Sequence, residues 1–83
     1  MKEIKANKAG LVVEFLVQPG ETIMVHQDVV MLESMKMYIP VQSSAAGLVT
    51  RVRVKEGDVV NDGDILLEVD EEVSLPQSQE ESA

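Results

Sequence analysis

The sequence predicts an all-β domain: a flattened barrel or sandwich of two four-stranded antiparallel sheets related by quasi-twofold symmetry. Three observations point to it. The chain repeats itself at a spacing of 37 residues. Its apolar residues are mainly Val, Ile, Leu and Met, with Phe15 and Tyr38 as the only aromatics, and no helical period lasts three turns. Compact Gly-containing clusters punctuate the apolar runs.

The repeat sets the element order. Ile4–Glu33 falls on Val41–Asp70 without a gap, with six identities in 30 positions. Ala9-Gly10-Leu11-Val12 meets Ala46-Gly47-Leu48-Val49, Val17 meets Val54, and Gly20 meets Gly57. Ile23 with Val60, Val29 with Leu66, Leu32 with Val69 and Glu33 with Asp70 keep their character. Each half is too short to bury both of its faces, whereas two copies can close on one shared core. About four short strands per half are expected. Gly10 and Gly47 mark tight bends or close backbone approach.

Along the chain, Gln18-Pro19-Gly20-Glu21 reads as the first turn. Val29–Leu32 reads as a strand that leads into Glu33-Ser34-Met35-Lys36-Met37-Tyr38-Ile39-Pro40. This segment joins the two halves, so Lys36 is expected near the tip of a hairpin. Leu48 to Val54 alternates, which predicts Leu48, Thr50, Val52 and Val54 on one face and Val49, Arg51 and Arg53 on the other, the wet side. Lys55-Glu56-Gly57-Asp58 and Asn61-Asp62-Gly63-Asp64 read as two further turns. The apolar pattern fails after Asp70. Residues 1–70 are therefore read as the domain. Residues 71–83, with four acids and no base, are read as a disordered acidic tail.

Composition excludes several functions. The absence of cysteine removes disulfides, thiolate metal sites and a cysteine nucleophile, and a lone His26 makes no histidine metal cluster. A net charge of -8 and two aromatics argue against binding nucleic acid or an anionic membrane. No apolar run has the length of a signal peptide or a membrane span. A soluble, cytoplasmic chain, monomeric in isolation, is expected.

Lys36 carries the chemistry. Most lysines at a turn only solvate it. This one lies between Met35 and Met37 at the joint of the repeat. An exposed primary amine on a long stem can attack an activated carboxylate, form an amide and serve as a tether. The flanking methionines offer a soft, adaptable recognition surface. His26 is read as a surface turn residue and Gly57 and Gly63 as turn glycines. Glu33 and Asp70 are equivalent by repeat, which does not imply contact, and no catalytic set is visible.

The segment Glu33-Ser34-Met35-Lys36-Met37 resembles the attachment motif of the biotinyl/lipoyl attachment domains, whose centre is Met-Lys-Met. Pro19-Gly20-Glu21-Thr22-Ile23, Gly47-Leu48-Val49, Glu56-Gly57-Asp58-Val59-Val60 and Asp62-Gly63-Asp64-Ile65-Leu66 are similar to other stretches of that family. The likeness covers about residues 4–70 and is closest to the small free-standing members and the biotin carboxyl carrier proteins. It implies a barrel-sandwich hybrid fold and covalent biotin on Lys36. Met35 and Met37 would be flanking recognition residues, and Glu33 and Ser34 ligase recognition residues. It also implies a biotin protein ligase as modifying partner, with biotin carboxylase and carboxyltransferase as partners for the loaded carrier. The domain itself would not be an enzyme. Ser34 stands where alanine is usual, and His26-Gln27 where Gly-Asp or Gly-Gln is common, so an altered shape is expected for that turn. Lipoyl domains usually place Asp before the modified lysine, and this chain has Met35 there. A lipoyl carrier and an unmodified interaction module remain the alternatives.

The composition of residues 71–83 predicts that they are dispensable for folding. Their deletion should leave the melting midpoint nearly unchanged by circular dichroism. A fall of more than about 4 °C, which roughly 1 kcal/mol produces in so small a domain, would mean that they dock on the barrel.

Overall fold

The computed structural model describes residues 1–72. Eight strands follow in order: β1 Lys2–Lys5, β2 Gly10–Phe15, β3 Thr22–Ile23, β4 Asp28–Ser34, β5 Met37–Gln42, β6 Gly47–Val52, β7 Val59–Val60 and β8 Ile65–Asp70. They form two four-stranded sheets, β1-β8-β6-β3 and β5-β4-β2-β7, in which every pairing is antiparallel. The 37-residue offset carries β2 onto β6 and β3 onto β7 with identical bounds. Under the same operation one sheet becomes the other, so the quasi-twofold axis is present in the topology. The expected architecture holds, with one refinement. The halves do not stack as one sheet each, because β1 and β3 of the first half join β6 and β8 of the second.

Even the irregularities repeat. Leu11 and Val12 pair with Glu33 and Leu32, but Glu14 pairs with Met31, leaving Val13 as an extra residue in β2. Thr50 is the matching extra residue in β6. Val29 in β4 and Leu66 in β8 form the second matched pair of bulges. A bulge reverses the alternation of faces. This is why the neighbours Val29 and Val30, and likewise Leu66 and Leu67, are all buried.

The bulge at Thr50 also corrects the expected faces of β6. Val49 lies in the core at 1% exposure instead of sharing the wet side with Arg51 and Arg53. Past the bulge the arginines point outward, and Val52 and Val54 pack against the core. Thr50, half-buried, donates its hydroxyl to the Glu68 carbonyl (3.3 Å).

Ile4, Val12, Ile23, Leu32, Val41, Val49, Val60, Leu67 and Val69 belong to one buried cluster drawn from both halves. Each such side chain contributes about 1.5–3 kcal/mol on burial. Among the described residues one polar residue is sealed with them, Ser43, which stands where Ala6 stands in the first half. Its hydroxyl donates to the Ala45 carbonyl (2.6 Å) and accepts the Ala45 N–H (3.1 Å), so no polar atom is stranded.

Four of the tight turns share one hydrogen-bonding pattern. In turns 18–21, 55–58 and 61–64 the last residue's N–H donates to the first residue's carbonyl, and its carboxylate accepts the first residue's N–H. Gly20, Gly57 and Gly63 occupy the third position with φ near +95°. Turn 24–27 has the same geometry, with Gln27 N–H to the Met24 carbonyl at 3.2 Å and the Gln27 side chain accepting the Met24 N–H at 3.0 Å. The altered shape expected there is absent. His26 instead adopts φ 73° at the site equivalent to Gly63, a left-handed conformation that costs a non-glycine residue about 1–2 kcal/mol.

The acidic tail read from the sequence, 71–83, lies outside the described residues except for Glu71 and Glu72. These two form a turn after β8, where the Glu72 N–H donates to the Asp70 carboxylate (3.0 Å).

Because each sheet contains strands of both halves, neither half can lose its pairing without opening the other. Hydrogen exchange should therefore show the core amides of β4 and β8 opening together, with one shared free energy. Stable protection of one half while the other exchanges freely would contradict this.

Candidate functional site

Lys36 sits where β4 turns into β5. The strands pair without interruption from Val30 with Val41 to Ser34 with Met37, leaving Met35 and Lys36 as a two-residue loop. Both have positive φ, 54° and 66°. Two consecutive left-handed residues define the type I′ hairpin turn, whose twist matches the flanking strands and which ordinarily selects Asn-Gly. Met-Lys has no such preference. The turn is therefore imposed by the five cross-strand pairs beneath it, at a cost of about 1–2 kcal/mol per residue.

The base of this hairpin is fixed from the side. A Cβ built on Gly10 would lie 2.8 Å from the Glu33 carbonyl oxygen, so only glycine lets β2 approach β4 there. Gly47 faces the Asp70 carbonyl in the same way in the other sheet. Both glycines thus serve the close backbone approach expected of them.

Lys36 is exposed, and among the described residues its ammonium has no ion pair. Met35 is 91% exposed and Met37 64%. The amine thus stands free on a rigid ribbon, with two thioethers beside it. Ser34, half-buried, is paired with Met37 at the last rung.

Glu33 lies one rung below Ser34, opposite Tyr38 on one side and Leu11 on the other, and Leu11 is opposite Val59. Directly paired residues share a face, and Leu32 and Val12 of the next rung point into the core. Tyr38, Glu33, Leu11 and Val59 therefore form one row on the outer face, beginning beside the turn. The Glu33 carboxylate makes no hydrogen bond or ion pair among the described residues. The sequence did not single out Leu11, Tyr38 and Val59 as neighbours of the site. Register across three strand pairs was needed to align them.

Remaining residues fall away from the tip. β5 carries the chain away from it to Gln42, and Gly47, five residues on, meets Asp70, so β8 ends at the opposite end. Lys2 pairs with Val69 there. Turn 24–27, with His26, is also at that end, since the His26 N–H donates to the Ser43 carbonyl (2.8 Å). Glu33 and Asp70 lie in different sheets at opposite ends and form no acid–base pair. Among the described residues no three His, Cys, Asp or Glu side chains converge on a metal position. An open cleft of about 330 Å³ is lined by Arg53, Val54, Asp58, Val59, Val60, Asp64 and Ile65. Its polar groups are committed: Asp58 and Asp64 cap their own turns and Arg53 pairs with Glu68 at 2.6 Å.

A protein-family model described as "Biotin-requiring enzyme", covering biotin- and lipoyl-bearing domains, matches residues 2–69. A biotin/lipoyl attachment protein of Bacillus subtilis is 44% identical over 66 residues, which are 80% of this chain and 90% of that protein. A homologue of the biotinylated protein TB7.3, from Mycobacterium leprae, is 40% identical over 65 residues, 78% of this chain and 92% of that one. Among solved structures, a single-chain, multi-domain long-chain acyl-CoA carboxylase matches with TM-score 0.73 and 36% identity over 80% of this chain and 6% of its own length. The lipoyl domain of the 2-oxoglutarate dehydrogenase complex of Azotobacter vinelandii matches with TM-score 0.63 and 28% identity, covering 76% of this chain and 80% of that domain.

The Lys36 side chain bears on no core residue, so Lys36→Arg should leave folding stability within about 0.5 kcal/mol. Urea denaturation checks this; a larger loss would mean that the ammonium supports the turn.

Proposed function

This chain belongs to the biotin/lipoyl attachment family, and we propose that its cargo is biotin, held as an amide on Lys36. The family is one of carriers, so the domain presents a group to enzymes and performs no reaction of its own. The observation that carries the choice of biotin is Met35-Lys36-Met37 placed on the strained turn, with Met where lipoyl domains usually have Asp. The homologue of a biotinylated protein that matches over nearly its whole length supports it. The likeness to a lipoyl domain favours a second reading, lipoate on the same lysine.

On this reading a separate biotin protein ligase supplies biotinyl-adenylate in the cytoplasm. The unprotonated Lys36 amine attacks its acyl carbon, the C–N bond forms, the adenylate leaves and the nitrogen loses a proton. Glu33 and Ser34, on the last two rungs, and the two methionines are the surface the ligase reads. Once attached, biotin supplies a ring nitrogen that takes up and gives back a carboxylate. The partners for that exchange are a biotin carboxylase and a carboxyltransferase, in keeping with the acyl-CoA carboxylase among the similar structures. The chain's own contribution is mechanical. The hairpin fixes the origin of the tether, and the exposed tip lets the arm reach either enzyme at high effective concentration.

Incubation with a biotin ligase, biotin and ATP, followed by intact and peptide mass measurement, tests the assignment. Wild type should gain about 226 Da on Lys36, and Lys36→Arg, which keeps the charge but lacks the primary amine, should gain nothing. Biotin on Lys2, Lys5, Lys8 or Lys55 would overturn the site. A gain of about 188 Da from a lipoate ligase, with none from the biotin ligase, would establish the second reading.

A further inference from the structure

Beside the Lys36 amine the tip carries two thioethers on exposed residues, Met35 at 91% and Met37 at 64%. Met35, on the turn, and Met37, first in β5, both lie outside the apolar cluster. A thioether so placed is open to two-electron oxidants. We propose that Met35 and Met37 form a peroxide-sensitive modification site, and that their conversion to sulfoxides closes Lys36 to loading. The second half rests on the reading of Lys36 as the attachment point; the first does not.

A sulfur lone pair attacks one oxygen of hydrogen peroxide, and the O–O bond breaks as the S–O bond forms. The departing hydroxide takes the proton of the transferred oxygen and leaves as water. Sulfur loses two electrons and the peroxide gains them.

The consequence follows from where the two side chains are not. Methionine oxidation usually damages proteins because a polar sulfoxide disrupts a packed core or interface. Neither residue contributes to this core, so the fold survives. What changes is the surface immediately on both sides of Lys36. Any enzyme that draws the amine into its active site must close over residues one position away. A flexible apolar contact there becomes a polar one, and its desolvation opposes docking. Met1 and Met24 are exposed as well, at 74% and 49%, but they lie at the other end of the domain. Met31 is half-buried in the middle of β4.

The test treats the full chain with hydrogen peroxide, as wild type and as the double variant Met35→Leu/Met37→Leu. Peptide masses locate each added oxygen, about 16 Da apiece, circular dichroism gives the melting midpoint, and ligase-catalysed biotinylation gives the loading rate. Met35 and Met37 should oxidise ahead of Met31, with an unchanged midpoint. Treated wild type should load at least about tenfold more slowly than untreated, the factor expected when an unpaired polar group is desolvated in a docking contact. The double variant retains Met1, Met24 and Met31. Whatever its basal rate, it should load equally well before and after treatment. Undiminished loading of wild type with both sulfoxides in place would overturn the gate, as would equal slowing of the double variant. Oxidation of Met24 while Met35 and Met37 stay reduced would overturn the site itself. Failure of untreated wild type to load would defeat the Lys36 reading and the gate with it, while the peptide masses would still decide the order of oxidation.

Discussion

One apolar layer holds this domain together, and neither half of the chain can close it alone. A strand set of this size exposes one face to water unless another covers it, and the cover here is a second copy of the same pattern. Sharing goes further than contact. The outer strand β1 needs β8, and β3 needs β6, so each half completes the other's sheet. The bulges at Val13 and Thr50, and at Val29 and Leu66, let runs of adjacent residues turn inward and enrich a small core without lengthening any strand. Gly10 and Gly47 draw the backbones together at the two ends.

From that layer follows the shape of the tip. β4 carries the buried Val29, Val30 and Leu32, and is held on both sides by β2 and β5. A strand so fixed can impose an unfavourable turn on the two residues that follow it. Met35 and Lys36 take left-handed φ values because the register of the ribbon leaves them no alternative. The same logic holds at His26, which keeps a glycine's conformation because the paired contacts around turn 24–27 exceed the local penalty. Strain at the tip and strain at the far end have one source. The first of them fixes the backbone from which the Lys36 side chain projects.

Much of this was legible in the residues. The repeat disclosed two matched halves, Gly20, Gly57 and Gly63 disclosed three turns, and Lys36 at the joint disclosed the hairpin. Other features were not. Alternation alone placed Val49 on the wet side, since a bulge leaves no mark in the sequence beyond an apolar residue out of phase. Replacement of glycine by His26 predicted a changed turn, because local propensity says nothing of the hydrogen bonds that preserve it. The exchange of strands between halves was equally hidden: a repeat states that two units are alike, not how they interleave. At the site, Lys36, Met35 and Met37 were readable from their order. The row of Tyr38, Glu33, Leu11 and Val59 comes from three non-adjacent stretches of chain and β5, and only register unites it.

This division between what the fold needs and what the tip offers has a physical consequence. The side chains that stabilise the domain point inward from both sheets, while those nearest Lys36 point outward and contribute little to burial. Chemistry at the tip can therefore change without melting the scaffold, and the scaffold can be conserved in shape while its surface is altered. A carrier requires that separation. On the proposed reading it meets several enzymes in turn with the same origin for its tether, so recognition has to lie on a surface that costs the fold nothing to expose. The Glu33 carboxylate and the Lys36 amine, which have no partner among the described residues, and the open thioethers of Met35 and Met37 are unsatisfied groups by the standards of a packed interior. On a paired hairpin standing in water they are affordable, and each remains available to whatever docks there.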